Sequence, residues 1–513
     1  MSGVTSSSGR SVTKGHAVVD VVVVGGGVGG MAAAIRLGAA GHRVTVLERN
    51  DALGGKLAAR TVDGFTFDTG PSLLTLPHVF DELLGHAGTT LASAVDVQRL
   101  DPICRYTWPA GAPGGAAGFD HRAERTAAVA DVEAALPGQG RAFDAWLDHA
   151  RSIWEVAERT FFAGPLDSPL GLLRRMQRPG DLLAIDPLRS LSARAAGVFD
   201  DPRLVQWAGR YASYSGSSPA LAPATLACIP WIEQAFGAWY IRGGLAVLAD
   251  ALGKAMAEVG VDVRTGVDVE AIRTDGTAVR GVRLAGGGSL DADVVIANVD
   301  ATHLYADLLP DRVSLRKVLR APLSSSGFAL LLGVEDRPGA RVPAHHEVSF
   351  SQDGPGEFDE LFRARRAPGD PTIYVCNTSA TDPTAAPPGT ASWFVLVNVP
   401  PAGDVDWHAE ADRYRDRLLE TMAARGFDVA GRTRVCEVVT PLDIAAHTRS
   451  WQGSIYGTSS NGRRAAFLRP ANRGPRRGLY LAGGSSHPGG GLPLVAMSGR
   501  IVADMVTNDG WRP

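Results

Sequence analysis

The chain has 513 residues, with 51 Lys and Arg against 54 Asp and Glu; the resulting net charge of −3 argues against nucleic acid as a main partner. That length is too great for one core, so two or more substructures are expected, and a hydrophobic content of 45% is that of a soluble globular enzyme. Cys104, Cys228, Cys376 and Cys436 are widely spaced with no C-x-x-C pair, which suits a reducing cytoplasm and disfavours a disulfide framework or a zinc site.

Residues 1–15 are rich in Ser, Gly and Thr and read as a disordered tail. Then Asp20-Val21-Val22-Val23-Val24 reads as a buried parallel strand, followed by a glycine turn and an alanine-rich helix from Met31. Gly25, Gly27 and Gly30 fit G-x-G-x-x-G: one glycine for the turn, one for approach of a pyrophosphate, one for packing of helix on strand. The helix start offers free N–H groups and a positive dipole end to phosphates. Val44-Thr45-Val46-Leu47-Glu48 reads as a second strand, with Glu48 at the distance expected for a carboxylate holding a ribose diol. A doubly wound unit without a dinucleotide is the bland alternative. The apolar stretch from Ala17 to Ile35 mimics a signal peptide, but Asp20 and the glycines place it in a strand–turn–helix, and no segment reads as a transmembrane helix.

Arg49 follows, then Gly54-Gly55-Lys56, a second glycine turn where main chain can pass a pyrophosphate and Lys56 can add positive charge. Gly64 to Ser72 reads as a short strand and turn. Residues 77–200 carry helical periods, such as Ala142 to Trp154. Leu170-Gly171-Leu172-Leu173-Arg174-Arg175 sets apolar residues beside basic ones, as a surface helix on a membrane or a helix packed on its neighbours would. Residues 207–244 are aromatic-rich, as core or as the lining of an apolar tunnel, and a helix is expected from Leu245 to Val259. Val269 to Ile272 and Asp293 to Asn298 read as strands that re-enter the nucleotide domain. Gly327 to Leu332 and Trp393 to Val397 read as a sheet walling a substrate site. The chain closes with strand, glycine turn and helix start from Gly478 to Ala496.

Several stretches, in order, carry a family resemblance. They are Tyr214-Ser215-Gly216-Ser217-Ser218-Pro219, Phe236-Gly237-Ala238-Trp239-Tyr240, His345-His346, Asn377 to Pro383, Leu468 to Arg473, and His487-Pro488-Gly489-Gly490-Gly491. With them the chain resembles the phytoene-desaturase-type carotenoid desaturases over nearly all its length. Gly483-Gly484-Ser485-Ser486 and Gly491-Leu492-Pro493-Leu494 depart from the commonest pattern of that family and look more like its late-pathway desaturases and diapocarotenoid oxygenases.

The resemblance implies an α/β fold: a Rossmann-type FAD-binding domain with an inserted α+β substrate domain, as in amine-oxidase-like flavoproteins. Residues 16–75, 243–304 and 441–513 would form the FAD-binding domain. Residues 76–242 and 305–440 would bind substrate and meet a membrane. It implies FAD held by Gly25, Gly27, Gly30, Glu48, Arg49, Gly55 and Lys56, with adenine against the Val269 main chain. Gly484 and the helix start Leu492, Pro493, Leu494 and Val495 would lie by the isoalloxazine. The expected reaction is desaturation of a carotenoid by hydride transfer to flavin, in a cytoplasmic, peripherally membrane-associated protein with O2 or a quinone as electron acceptor. Oxidation of a terminal methyl is the alternative; an amine oxidase and a non-catalytic carotenoid carrier are more distant ones.

Desaturation next to a conjugated polyene asks mainly for orientation, dryness and flavin electrostatics, so no acid/base pair is required. His487 is the one catalytic candidate, as a base or as a brace of its turn. Ser485 and Ser486 carry the same ambiguity. His345-His346 lacks carboxylate or histidine spacing for a metal, so a structural role is expected and no metal. Asp443 and Arg469 are expected to be structural or rim charges. No G-x-S-x-G or H-E-x-x-H is present, so hydrolase readings fail.

Overall fold

A β-branched run with no polar side chain can be stable only in the middle of a sheet covered on both faces, and Val21 to Val24 occupies that place. In the computed structural model, which describes residues 17–166, 168–176, 178, 180–462 and 465–509, strand Asp20–Val24 is central in a five-stranded parallel sheet. The expected disordered tail lies outside the described residues. The strand order is Leu479–Leu481, Val294–Ala297, Asp20–Val24, Arg43–Leu47, Asp262–Arg264. Val22 pairs with Val295 on one side and Thr45 on the other. The strand expected at Asp293 to Asn298 is thus Val294–Ala297, and Asn298 is freed at its end to face the glycine turn.

Helix Val28–Ala39 follows the turn and packs on the C-terminal helix Leu492–Asn508. A Cβ added at Gly499 would lie 2.6 Å from the Gly29 carbonyl oxygen, so the two helices touch main chain to main chain. The expected helix from Leu245 is Val247–Glu258, because Gly244 and Leu245 form the turn before it. Val269 to Ile272 is not a parallel strand of the main sheet. It belongs to Val269–Thr274, which pairs antiparallel with Val279–Leu284 in a separate three-stranded sheet.

The second large sheet has seven strands in the order Thr433–Val439, Ser326–Glu335, Thr390–Val399, Ile373–Asn377, His346–Ser349, Cys104–Trp108, Ala117–His121. The two apolar strands expected at Gly327 to Leu332 and Trp393 to Val397 are neighbours in it, with Leu330 opposite Val395.

The helical region packs beside it. Helix Gly140–Thr160 buries Phe143, Trp146, Leu147, Ala150, Ile153 and Trp154, the spacing of one helical face. Each large side chain there contributes roughly 1.5–3 kcal/mol by leaving water. Three of the seven aromatics of that stretch, Trp207, Tyr211 and Tyr240, are buried, and Trp207 meets Phe143 at 4.9 Å; Tyr214, Trp231, Phe236 and Trp239 are half-buried against the same core.

Candidate functional site

The glycine turn is built so that no side chain fits. Gly25 has φ +98°, and a Cβ there would lie 2.5 Å from the Asn298 carbonyl oxygen. At Gly30 a Cβ would lie 2.4 Å from the Gly25 oxygen, which makes it the close-packing position of helix on strand. Gly27 faces Asn298 Oδ1 and is bridged to Gly54, while the Gly54 N–H donates to the Gly26 oxygen at 2.9 Å. The two glycine turns, apart in sequence, therefore lie against each other, with Gly55 beside Gly27.

Glu48 is buried at the edge of this turn. Its Oε2 accepts from the Gly26 N–H at 2.7 Å and its Oε1 from the Asn50 N–H at 2.8 Å. The carboxylate is thus fixed in place by main-chain donors.

Lys56 is solvent-accessible and follows the second glycine turn. Desolvation lowers its pKa to about 8, and the Asp300 carboxylate opposes that shift. Its Nζ donates to the Ser454 and Ile455 oxygens at 3.2 and 2.5 Å. Arg49 turns the other way: its guanidinium donates to the Ala446 and His447 oxygens at 3.0 and 2.7 Å, at the C-terminal end of helix Pro441–Thr448. Val269 has a buried side chain and stands at the wall of a cavity of about 480 Å³, with Asp268, His303, Asp307 and Arg449 around it.

The C-terminal turn closes the site. Gly491 caps helix Leu492–Asn508 with φ +109°; Leu492 and Pro493 are buried and Leu494 and Val495 half-buried in its first turn. Gly484 faces this helix start, since a Cβ there would stand 3.8 Å from Val495 Cγ1. Arg469, expected to be a structural or rim charge, is interior and structural. It donates to the Tyr456, Gly484 and Thr458 oxygens at 3.0, 2.7 and 2.7 Å and, among the described residues, has no ion-pair partner. Burial lowers its pKa to about 10. Asp443 is structural: it forms a capping box with Thr440.

His487 is buried in the same turn. Its Nε2 lies 3.0 Å from the Phe161 oxygen and 3.2 Å from the Gly164 oxygen, so this nitrogen carries the proton and donates. Nδ1 keeps the lone pair and has no partner among the described residues. Burial pushes its pKa down to about 4, a weak base. Asn472 Nδ2 and Ser498 Oγ both donate to the His487 carbonyl at 2.8 Å. Arg175 and Arg500 grip the same 160–165 turn through its carbonyls. The geometry is that of a brace between the C-terminal turn and the helical region. Ser485 donates to Asp300 at 2.9 Å, and Ser486 bonds within its own turn.

Three residues of this site were missed by sequence reasoning. Asn298 donates from Nδ2 to the Ala482 oxygen at 2.9 Å and so ties the first turn to the last. Asp300 bridges Ser485 and the start of helix Ala301–His303. Asp68 accepts from the Leu245 and Ala246 N–H groups; burial raises its pKa to about 6. The signal available for the first two was a pair of polar residues, Asn298 and Asp300, just after an apolar strand.

The sequence profile of the flavin-containing amine oxidoreductases matches residues 28–507. A 4,4'-diapolycopene oxygenase of Methylomonas sp is 36% identical over 495 residues, covering 95% of this chain and 98% of that one. A 1-hydroxycarotenoid 3,4-desaturase of Flavobacterium sp. (strain P99-3) is 32% identical, covering 95% and 99%. Among solved structures, an oxidoreductase from Methanosarcina mazei superposes with a TM-score of 0.64 at 18% identity, covering 94% of this chain and 100% of that one. Cyclohexylamine oxidase from Brevibacterium oxydans gives 0.60 at 14% identity, covering 96% and 99%.

Proposed function

The chain belongs to the family of flavin-containing amine oxidoreductases, and from that premise we propose that it oxidises a carotenoid polyene with FAD. The carrying observation is that two glycine turns and a helix start converge in a chain similar to carotenoid oxidoreductases over 95% of its length. The residues present fit the cofactor: the cradle at Gly25, Gly27 and Gly30 has no room for a Cβ, and the accessible Lys56 directly follows the Gly54-Gly55 turn that lies against it. When bound, FAD would supply a hydride acceptor for a carbon allylic to the polyene.

In this reading Gly25, Gly27, Gly30 and Gly55 give the pyrophosphate close access to main-chain N–H groups. Glu48 holds the adenosine ribose, Lys56 supplies positive charge, Arg49 anchors the turn that carries Glu48, and the Val269 main chain meets adenine. Gly484 and the Leu492 to Val495 helix start face the ring. Arg469 and the helix dipole put positive potential at the C-terminal turn, where a reduced flavin is negative. His487 positions that turn. Residues 16–75, 243–304 and 441–513 would then be the cofactor domain, and 76–242 with 305–440 the substrate domain.

Desaturation is the main reading, with O2 or a quinone restoring the oxidised cofactor. Oxidation of a terminal methyl is a second reading, favoured by the 36% identity to a diapolycopene oxygenase. The test is product mass in a host making lycopene or neurosporene. Loss of two hydrogens supports desaturation, gain of oxygen supports the second reading, and unchanged carotenoid with amine-dependent peroxide sinks both.

The substrate is scarcely soluble in water, so the chain must meet a membrane. Among the described residues no helix is long and apolar enough to cross one. A peripheral contact is supported by Leu170, Leu173, Leu182, Leu183 and Leu188, all exposed between residues 170 and 188 beside Arg174.

A further inference from the structure

Away from the glycine turns, the seven-stranded sheet gathers three side chains that bind metals. His346 and Cys376 are directly opposed in the antiparallel ladder between His346–Ser349 and Ile373–Asn377, so both leave the same face of the sheet. His345 precedes that strand, and its ring stands 4.5 Å from the His346 ring at 78°. One ring nitrogen from each histidine and the Cys376 Sγ all lie within 4.8 Å of one another. The three residues are 6%, 2% and 1% exposed.

The hydrogen bonding of the imidazoles leaves donor atoms over. His345 Nδ1 is 2.6 Å from Thr381 Oγ1. His346 Nδ1 is 2.7 Å from the Tyr374 hydroxyl, which in turn is 2.6 Å from Ser72 Oγ. The Nε2 atoms of both histidines are buried with no partner among the described residues. A hydroxyl that accepts from Nδ1–H orients an imidazole and leaves the lone pair on Nε2 for a ligand. Leaving two such atoms unpaired in an apolar interior costs free energy that a ligand would recover.

We propose that His345, His346 and Cys376 bind a borderline-soft transition-metal ion, zinc(II) or copper(I), through two neutral imidazoles and one thiolate. The donor set selects against magnesium and calcium, which want oxygen. Three-coordinate copper(I) fits it as it stands, while zinc would add a fourth ligand such as water. Closing the ligand atoms to the roughly 3.5 Å spacing of such a sphere takes rotamer adjustments of about 1 Å. The Cys376 thiol proton leaves as H⁺ when the metal–sulfur bond forms, and no electron changes hands. The Asp382 carboxylate, on the His345 side, offsets the added charge, while the Arg210 guanidinium on the His346 side opposes it. The site does not depend on the flavin reading.

The test uses full-length flavoprotein, as purified and after incubation with zinc or with copper and a reductant, followed by chelator dialysis. About one metal per chain is expected, and X-ray absorption at that metal's edge should show one sulfur at about 2.3 Å with nitrogens at about 2.0 Å. The two loadings tell zinc from copper. Cys376→Ser should lose the sulfur neighbour and at least tenfold of the metal affinity, and Cys436→Ser, which alters an exposed cysteine, should lose neither. If Cys376→Ser does not fold, the sulfur neighbour in the unaltered protein decides alone. Less than about a tenth of a metal per chain under both loadings, or a bound metal with no sulfur neighbour, overturns the proposal.

Discussion

The parallel sheet and the seven-stranded sheet carry their chemistry in different materials. Around the parallel sheet it lies in main chain: the positions that matter are those where a Cβ would strike Asn298 or Gly25. In the helical region and the seven-stranded sheet it lies in buried side chains. Glu233 accepts from Tyr211 and Tyr214 at 2.9 and 2.7 Å, and Arg210 sits over their rings. Burial pushes Glu233 above the usual carboxylate range, with Arg210 opposing. A site of the first kind rests on the absence of atoms at positions close in sequence; one of the second kind rests on register between distant strands. The first should therefore fail abruptly when atoms are added, and the second by degrees as partners are removed.

The largest expected effect tests the first half of that contrast. Gly30→Val places side-chain carbon 2.4 Å from the main-chain oxygen of Gly25, a residue whose N–H donates to the Leu47 carbonyl of the following strand. Purified protein should carry less than about a tenth of the normal flavin, or not be recovered folded, since steric conflict with main chain cannot relax cheaply. Flavin absorbance per chain and a thermal melt measure this. Full loading would break the comparison. Next comes Glu48→Ala, which strips the charged acceptor from the Gly26 and Asn50 N–H groups as well as from the ribose. A charged hydrogen bond contributes about 1.5–3 kcal/mol, so FAD should bind roughly ten- to a hundredfold more weakly. An unchanged dissociation constant by flavin fluorescence would remove Glu48 from the ribose.

His487 sits at the boundary between the two halves. In His487→Ala, flavin content and turnover should fall together, because the ring ties the C-terminal turn to the Phe161 and Gly164 carbonyls. A hundredfold loss of turnover with normal flavin would instead make it the base. Its pKa of about 4 also predicts no inflection from it near pH 6.5 in the rate profile. The same burial has a stability consequence shared with His121, also held at about 4. Their folded values lie below the unfolded 6.5, so their full contribution is present above pH 6.5. It is lost as pH falls from 6.5 towards 4, by up to about 3 kcal/mol for each histidine. A urea midpoint flat across that range would contradict their being buried and neutral.

The legibility of the chain follows the same division. The glycine turns, Glu48 and the apolar strands could be read because the signals are local and periodic. Arg49 and Lys56 could be located but not their contacts, since their carbonyl partners lie about 400 residues away. Arg469 could be read as structural or as a rim charge but not assigned between the two, because nothing near it in sequence announces a buried arginine whose partners are carbonyls. The His345-His346 pair looked structural for want of a third ligand at a metal-like spacing. Cys376, thirty residues on, reaches it only through the strand pairing that sets His346 opposite it.

The smallest effect concerns the exposed leucines, where the division is blurred because neither main-chain geometry nor a buried partner is involved. Leu183 is 84% exposed and Leu188 68%, a poor arrangement in water and a good one at a lipid interface. Sequence reasoning gave Arg174 and Arg175 the same electrostatic task there. Arg175, however, spends its guanidinium on the Thr160, Gly164 and Pro165 carbonyls, so Arg174 is the candidate for anionic lipid and Arg175 a brace. Vesicle flotation should therefore separate them. Leu183→Ser should weaken binding to neutral and anionic vesicles alike by about fivefold, for partial loss of a burial worth roughly 1 kcal/mol at an interface. Arg174→Gln should weaken binding to anionic vesicles only, by a similar factor that vanishes at high salt. Arg175→Gln should leave the lipid preference unchanged and lower the melting temperature. Protein that stays at the bottom with every vesicle would place the leucines against something other than a membrane.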